Sequence, residues 1–66
     1  NMMSAKIKSL CALRGITQAE LAEELNISQP VLSRKMKLDN WREDDLQKIA
    51  KILDMEYKSD FVPKDN

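Results

Sequence analysis

The sequence predicts an all-α domain of short helices with a brief β-strand near its C-terminus. Two observations carry this: apolar residues recur at helical spacing in four stretches, and residues that favour helix starts stand at fixed offsets ahead of them. With 66 residues there is room for one domain and a small core. Such a core leaves about 3 to 5 kcal/mol of stability without extra support, of which dimerisation is one form.

The first helix is expected over residues 4–14, with Ile7, Leu10 and Cys11 on one face and Gly15 as its stop. Leu13 falls off that face, Cys11 reads as a small buried hydrophobe, and Lys6 and Lys8 lie on a solvated side from which either can reach a phosphate. A second start follows at Thr17. Glu20 stands three residues on, so the Thr17 hydroxyl can accept from the Glu20 amide while the carboxylate reaches back to the Thr17 amide. Ile16 and Leu21 occupy the positions of a hydrophobic staple across that cap.

Ser28 repeats the device with Ile27 and Leu32, and Pro30 falls in the first turn, where its missing amide hydrogen costs little. Asn26, between the two helices, tolerates a left-handed backbone. Leu21, Ala22 and Leu25 share the inner face of one helix, and Leu32 and Met36 that of the next. Gln29, Pro30, Val31, Ser33, Arg34 and Lys37 are then left on the sides or outer face of a helix expected over residues 28–37. Two short helices joined by a three-residue turn, the second polar at its start and basic at its end, have the layout of a DNA-reading helix-turn-helix.

Residues 37–42 read as a polar loop into a helix over 42–53, with Asn40 or Arg42 at its cap. Glu43, Asp44 and Asp45 crowd the first turn, where the helix dipole favours negative charge. Consecutive helix positions fan outward, so these three do not form a metal or catalytic cluster. Leu46, Ile49, Ala50 and Leu53 make the inward stripe, and Ile52 falls off it as Leu13 does, which marks a partner surface. Met55, Tyr57, Ser59 and Phe61 then alternate with Glu56, Lys58 and Asp60, a period of two that predicts one strand ending at Pro63. A lone strand must pair with another chain or lie on the domain. The chain therefore divides into a domain over 4–55 and a tail over 56–66, with Ile52, Tyr57 and Phe61 as candidate homodimer contacts. The alternative is that Tyr57 and Phe61 cap their own core.

Eleven basic and eleven acidic residues cancel, and there is no histidine and a single cysteine. That excludes a zinc cluster and an internal disulfide, and it fits a reduced, cytoplasmic and nucleoid-associated setting. No apolar run approaches the about 20 residues that cross a bilayer, so no membrane partner is expected. Without histidine, a glycine-rich phosphate loop or a base spaced to activate a serine, neither an enzyme nor a cofactor is expected. Asn1 ahead of Met2 reads as the remnant of a cleaved tag. Charge is uneven: residues 1–42 hold seven basic and four acidic side chains, and residues 43–66 hold the reverse excess. Because exposed charges are screened beyond about 8 Å at physiological salt, the basic part can attract phosphate despite the acidic half. Modest affinity per subunit and a shallow salt dependence follow.

The run Gly15-Ile16-Thr17-Gln18-Ala19-Glu20-Leu21-Ala22-Glu23-Glu24-Leu25-Asn26-Ile27-Ser28, then Leu32-Ser33-Arg34-Lys35-Met36 and later Leu46-Gln47-Lys48-Ile49-Ala50, resembles the lambda-repressor-like (Xre/Cro) helix-turn-helix family over roughly residues 5 to 55. The resemblance implies a compact four- or five-helix domain, usually a transcriptional regulator of bacterial, phage or mobile-element origin that binds palindromic operators in double-stranded DNA as a dimer. Gln18 matches a glutamine that contacts a phosphate and buttresses a recognition-helix residue, here Gln29. Gln29, Pro30, Ser33 and Arg34 match base-reading positions, and Lys37 matches a backbone contact. Pro30 and Val31 offer apolar contact to a thymine methyl. Trp41 matches an aromatic that plugs the core edge. The chain departs from the pattern in carrying Asn26 and Asp54 where glycines are usual, and it shows no fifth helix.

Two readings of function follow. In one, the Ser28–Lys37 helix enters a major groove, Arg34 contacts guanine, and Gln29 reads adenine or supports Gln18. In the other, the same fold is a protein-interaction module, such as an antitoxin, co-activator or anti-repressor, acting through the tail and Ile52.

Overall fold

The computed structural model describes residues 3–64; the expected tag remnant Asn1, together with Met2, Asp65 and Asn66, lies outside the described residues. In chain order the elements are α1 (Met3–Leu13), α2 (Gln18–Glu24), α3 (Gln29–Leu38), α4 (Glu43–Ile52), β1 (Met55–Tyr57) and β2 (Phe61–Pro63). Every helix contributes to one core. Ile7, Leu21, Leu32, Ile49 and Leu53 are fully buried, and Met55 and Phe61 extend that core into the C-terminal strands.

All four helices are followed by a residue in the left-handed region: Gly15 at φ 70°, Asn26 at 60°, Asp39 at 53° and Asp54 at 58°. At the first three ends the same pair of bonds recurs, as when the Asn26 amide donates to Glu23 O and the Ile27 amide to Ala22 O. Such a motif satisfies carbonyls that a helix end leaves orphaned, and Asn and Asp are the residues besides Gly that reach this conformation at least cost. Asn26 and Asp54 therefore turn the chain as glycine would.

Two expectations are corrected. Residues 37 and 38 are not loop but the last turn of α3, because Asp39, not Lys37, takes the left-handed turn. The expected single strand is a hairpin: Lys58-Ser59-Asp60 reverse the chain, and β1 pairs antiparallel with β2 in the register Met55 to Pro63, Glu56 to Val62 and Tyr57 to Phe61. Period two is read equally from one strand or from two with a short turn, so alternation alone did not reveal the reversal. The chain supplies its own partner strand.

The hairpin is pinned from both sides. Both carboxylate oxygens of Asp60 accept from Lys6 Nζ of α1 at 2.7 Å, and Gln47 Nε2 of α4 donates to Tyr57 O at 3.1 Å. The Lys58 amide donates to Asp60 O, so by antiparallel alternation the backbone groups of Glu56 and Val62 face each other and those of Phe61 and Pro63 point outward. On that outer edge the Phe61 amide is taken by the Asp60 carboxylate at 2.8 Å, and proline has no amide hydrogen. The β2 edge thus offers no donor to a further strand. Tyr57 and Phe61 meet edge to face at 5.1 Å, with Phe61 buried and Tyr57 half-buried on the core of their own chain.

Candidate nucleic-acid interface

The local chemistry that starts α2 and α3 sets the geometry of the site. Thr17 Oγ1 accepts from the Glu20 amide at 3.1 Å, and Glu20 Oε1 accepts from the Thr17 amide at 2.8 Å, so the reciprocal cap is complete. Gln18 is the first residue of α2 and is exposed. At α3 the Ser28 hydroxyl accepts from the Val31 amide at 3.4 Å, with Pro30 in the first turn. Buried Leu32 and Met36 then hold the inner side of the helix against the core.

With that side fixed, a helical repeat places Arg34 opposite Leu32, at the crest of the outer face. Pro30, Ser33 and Lys37 lie on one flank of the crest; Val31 and Leu38 lie on the other. Ser28, Gln29, Pro30, Val31, Ser33, Arg34 and Lys37 are all exposed. The structure therefore brings Pro30, Val31, Ser33, Arg34 and Lys37 onto the outward side of α3, with Ser28 and Gln29 exposed at its start and Gln18 exposed at the start of the neighbouring helix. Among the described residues no hydrogen bond joins Gln18 to Gln29, the contact expected between them. Leu38 was not among the residues singled out from sequence, because position 38 was assigned to a loop. It is 63% exposed and shares its flank with Val31, seven residues earlier, which is the spacing that gives it away.

Two lysines, one on α3 and one on α1, are held in ion pairs within the chain. Lys35 Nζ binds Asp45 Oδ2 of α4 at 3.1 Å, both side chains being about one-fifth exposed, and the same oxygen accepts the Arg42 amide at the start of α4. Arginine has no acceptor to return that bond, so α4 is capped by its Asp45 side chain alone. Lys6 of α1 is paired with Asp60, with about two-fifths of its side chain exposed. Arg34 and Lys37 make no ion pair among the described residues. They carry the free positive charge of the outer face.

The far end of α3 is tied to α1 by a polar network. Asp39 Oδ1 accepts from the Ser4 hydroxyl at 2.7 Å and the Ser4 amide at 2.8 Å, and Ser4 Oγ accepts from Trp41 Nε1 at 2.9 Å. These bonds, the Ser4 hydroxyl first, hold the Asp39 carboxyl below the usual carboxylate range. One residue therefore ends α3 with its backbone and caps the first turn of α1 with its side chain. Trp41 sits half-buried against the core edge, as its match in the resemblance implied. Elsewhere, burial raises the Cys11 thiol above its ordinary value, which keeps it protonated and unreactive. Among the described residues no group of three His, Cys, Asp or Glu converges on a metal site, and no helix is long and apolar enough to cross a membrane.

The family model of the Cro/C1-type HTH DNA-binding domain matches residues 6–58, which take in most of α1, the other three helices and the first strand. The chain belongs to that family. No curated protein and no solved structure shows a significant match. The Cro/C1-type assignment makes the chain a DNA-binding domain, and the helix pair that defines such domains is α2–α3.

Proposed function

We propose that this Cro/C1-type domain is a sequence-specific transcriptional regulator of Xre type that reads a palindromic operator as a homodimer. The observation that supports it most is the outer face of α3. Arg34 stands at its crest and Lys37 on its flank, both exposed and free of internal ion pairs, while the inner face is locked by Leu32 and Met36. Arg34 fits a bidentate contact to a guanine edge, and Val31 with Pro30 fits apolar contact to a thymine methyl. Lys37 and Gln18 fit phosphate contacts that set the register of the helix in the groove. In a dimer the half-sites lie about 34 Å apart, one turn of the duplex.

Selection of bound sequences from a random DNA pool tests binding, specificity and half-site symmetry together. An enriched inverted repeat is the expected result, and no enrichment over the input pool would defeat the reading. On the selected site, Arg34→Ala should cost about 1 to 3 kcal/mol and relax one operator position. Equal loss on operator and random duplex would show that Arg34 does not read a base.

A further inference from the structure

Away from the outer face of α3, a groove of about 370 Å³ lies between α4 and the C-terminal hairpin, and no residue of α2 or α3 lines it. Its floor is apolar: Ala50 and Met55 are buried and Tyr57 is half-buried. Three exposed lysines, Lys51, Lys58 and Lys64, stand around that floor. Residues 43–66 carry only Lys48, Lys51, Lys58 and Lys64 as cations in an otherwise acidic stretch, and the fold gathers three of these at one groove. Gln47, also lining it, donates to Tyr57 O at 3.1 Å and ties the hairpin wall to the helix wall.

The three ammonium groups are available to a ligand. Lys51 makes no ion pair among the described residues. Lys58 meets Glu56, the one carboxylate among the described residues lining the groove, at 3.7 Å, and Lys64 meets Asp54 at 2.8 Å. These four side chains are between 44% and 74% exposed, and ion pairs so open to water exchange readily for another carboxylate.

We infer that this groove receives an acidic segment of a partner protein, with an apolar side chain seated on Ala50, Met55 and Tyr57 and flanking carboxylates meeting Lys51, Lys58 and Lys64. Charge complementarity sets the sign of the partner, since three of the four charged side chains at the groove are cations. The floor sets the rest of its chemistry. A phosphate backbone would answer the lysines and leave the apolar floor uncovered, whereas an apolar residue between carboxylates answers both. A second copy of this chain does not supply such a segment among its described residues. Its exposed large apolar side chains are Leu13 between Ala12 and Arg14, Val31 between Pro30 and Leu32, and Leu38 between Lys37 and Asp39, none of them flanked by two carboxylates. Because the groove and α3 share no residue, one subunit can hold this partner while α3 faces a duplex. The inference goes beyond the operator reading and does not depend on it.

Titration of the full chain with a blocked peptide carrying one leucine between two pairs of glutamates, followed by amide shifts, tests it. Shifts should map to residues 47–58 and 64 and leave residues 28–37 unmoved. A peptide with glutamines for the glutamates, and one with serine for the leucine, should each bind several-fold more weakly. Lys51→Glu should raise the peptide Kd roughly fivefold, and Lys51→Glu combined with Lys58→Glu more than about tenfold. Both lysines are exposed, so these variants should keep the helical circular dichroism of the wild type. No shift at millimolar peptide, equal binding of the glutamine peptide, or a wild-type Kd in the double variant would each overturn the assignment. A duplex arm separates the two readings: DNA should move Gln18 and residues 28–37 only. If DNA instead moves Lys51, Lys58 and Lys64, they are phosphate contacts and the acidic-segment assignment fails. If DNA moves nothing while the peptide binds, the operator reading fails and the groove stands.

Discussion

At its first turn, α3 is held by its own sequence neighbours: Ser28 caps the Val31 amide and Pro30 pre-sets the backbone. At its last turn the ties come from far along the chain. Asp39 reaches Ser4, 35 residues away, and Lys35 reaches Asp45 on the next helix. Local capping starts a helix but does not aim it, because a cap fixes only the backbone around itself. Holding α3 in one direction needs both ends fixed, and here the long-range ties are at the C-terminal end, to α1 and α4.

Mutations at the two ends should separate these roles. Ser4→Ala strips the Asp39 carboxylate and Trp41 Nε1 of a shared partner in a partly buried setting, and should cost about 1 to 3 kcal/mol in urea unfolding. Ser28→Ala removes only a long local bond, and about 0.5 to 1 kcal/mol is expected in the same assay. Equal losses would erase the distinction between the ends.

Lys35 and Lys37 sharpen the comparison, since they stand two residues apart on the same helix with opposite fates. Lys37→Ala should weaken all duplexes alike and reduce the salt slope of binding by about 1. Lys35→Met should leave that slope unchanged and cost about 1 kcal/mol of folding stability or somewhat more, since it removes one partner of a pair only about one-fifth exposed. A slope change for Lys35→Met would mean that its charge reaches DNA after all.

The smallest effect is expected on acidification. Asp39, Asp54 and Asp60 are all held below the ordinary carboxylate range, chiefly by hydrogen bonds from Ser4, Lys64 and Lys6 respectively. A carboxyl with a lowered native value stabilises the fold fully above its unfolded value, about 3.9, and loses that contribution as pH falls through the native one. The urea midpoint should therefore decline only below about pH 4. Ser4→Ala, which removes the first cause at Asp39, should make the decline shallower.

Which features were legible in the sequence follows from their range. The Thr17–Glu20 box, the Ser28 cap, the Gly15 and Asn26 stops and the inward faces of α2, α3 and α4 were all visible, because each depends on residues within one or two turns. Three features were not. Asp39 as a helix stop was hidden because its neighbours Lys37 and Leu38 carry no break in pattern. The hairpin was hidden because alternation continues through a short turn. The fates of Lys6 and Lys35 depend on Asp60 and Asp45, which only the fold brings near.

The chain's own order of residues thus determined the helix pair, its caps and the set of side chains available to face a groove, since 3.6-residue periodicity and capping act over a few residues. Tertiary structure alone decided which of the lysines keep a free charge, how the end of α3 is aimed through Asp39, and that the C-terminal strand finds its partner within the same chain. The lysine and Asp39 outcomes turn on pairs separated by ten to more than fifty residues, and no local rule of backbone geometry ranks such pairs before the core has formed.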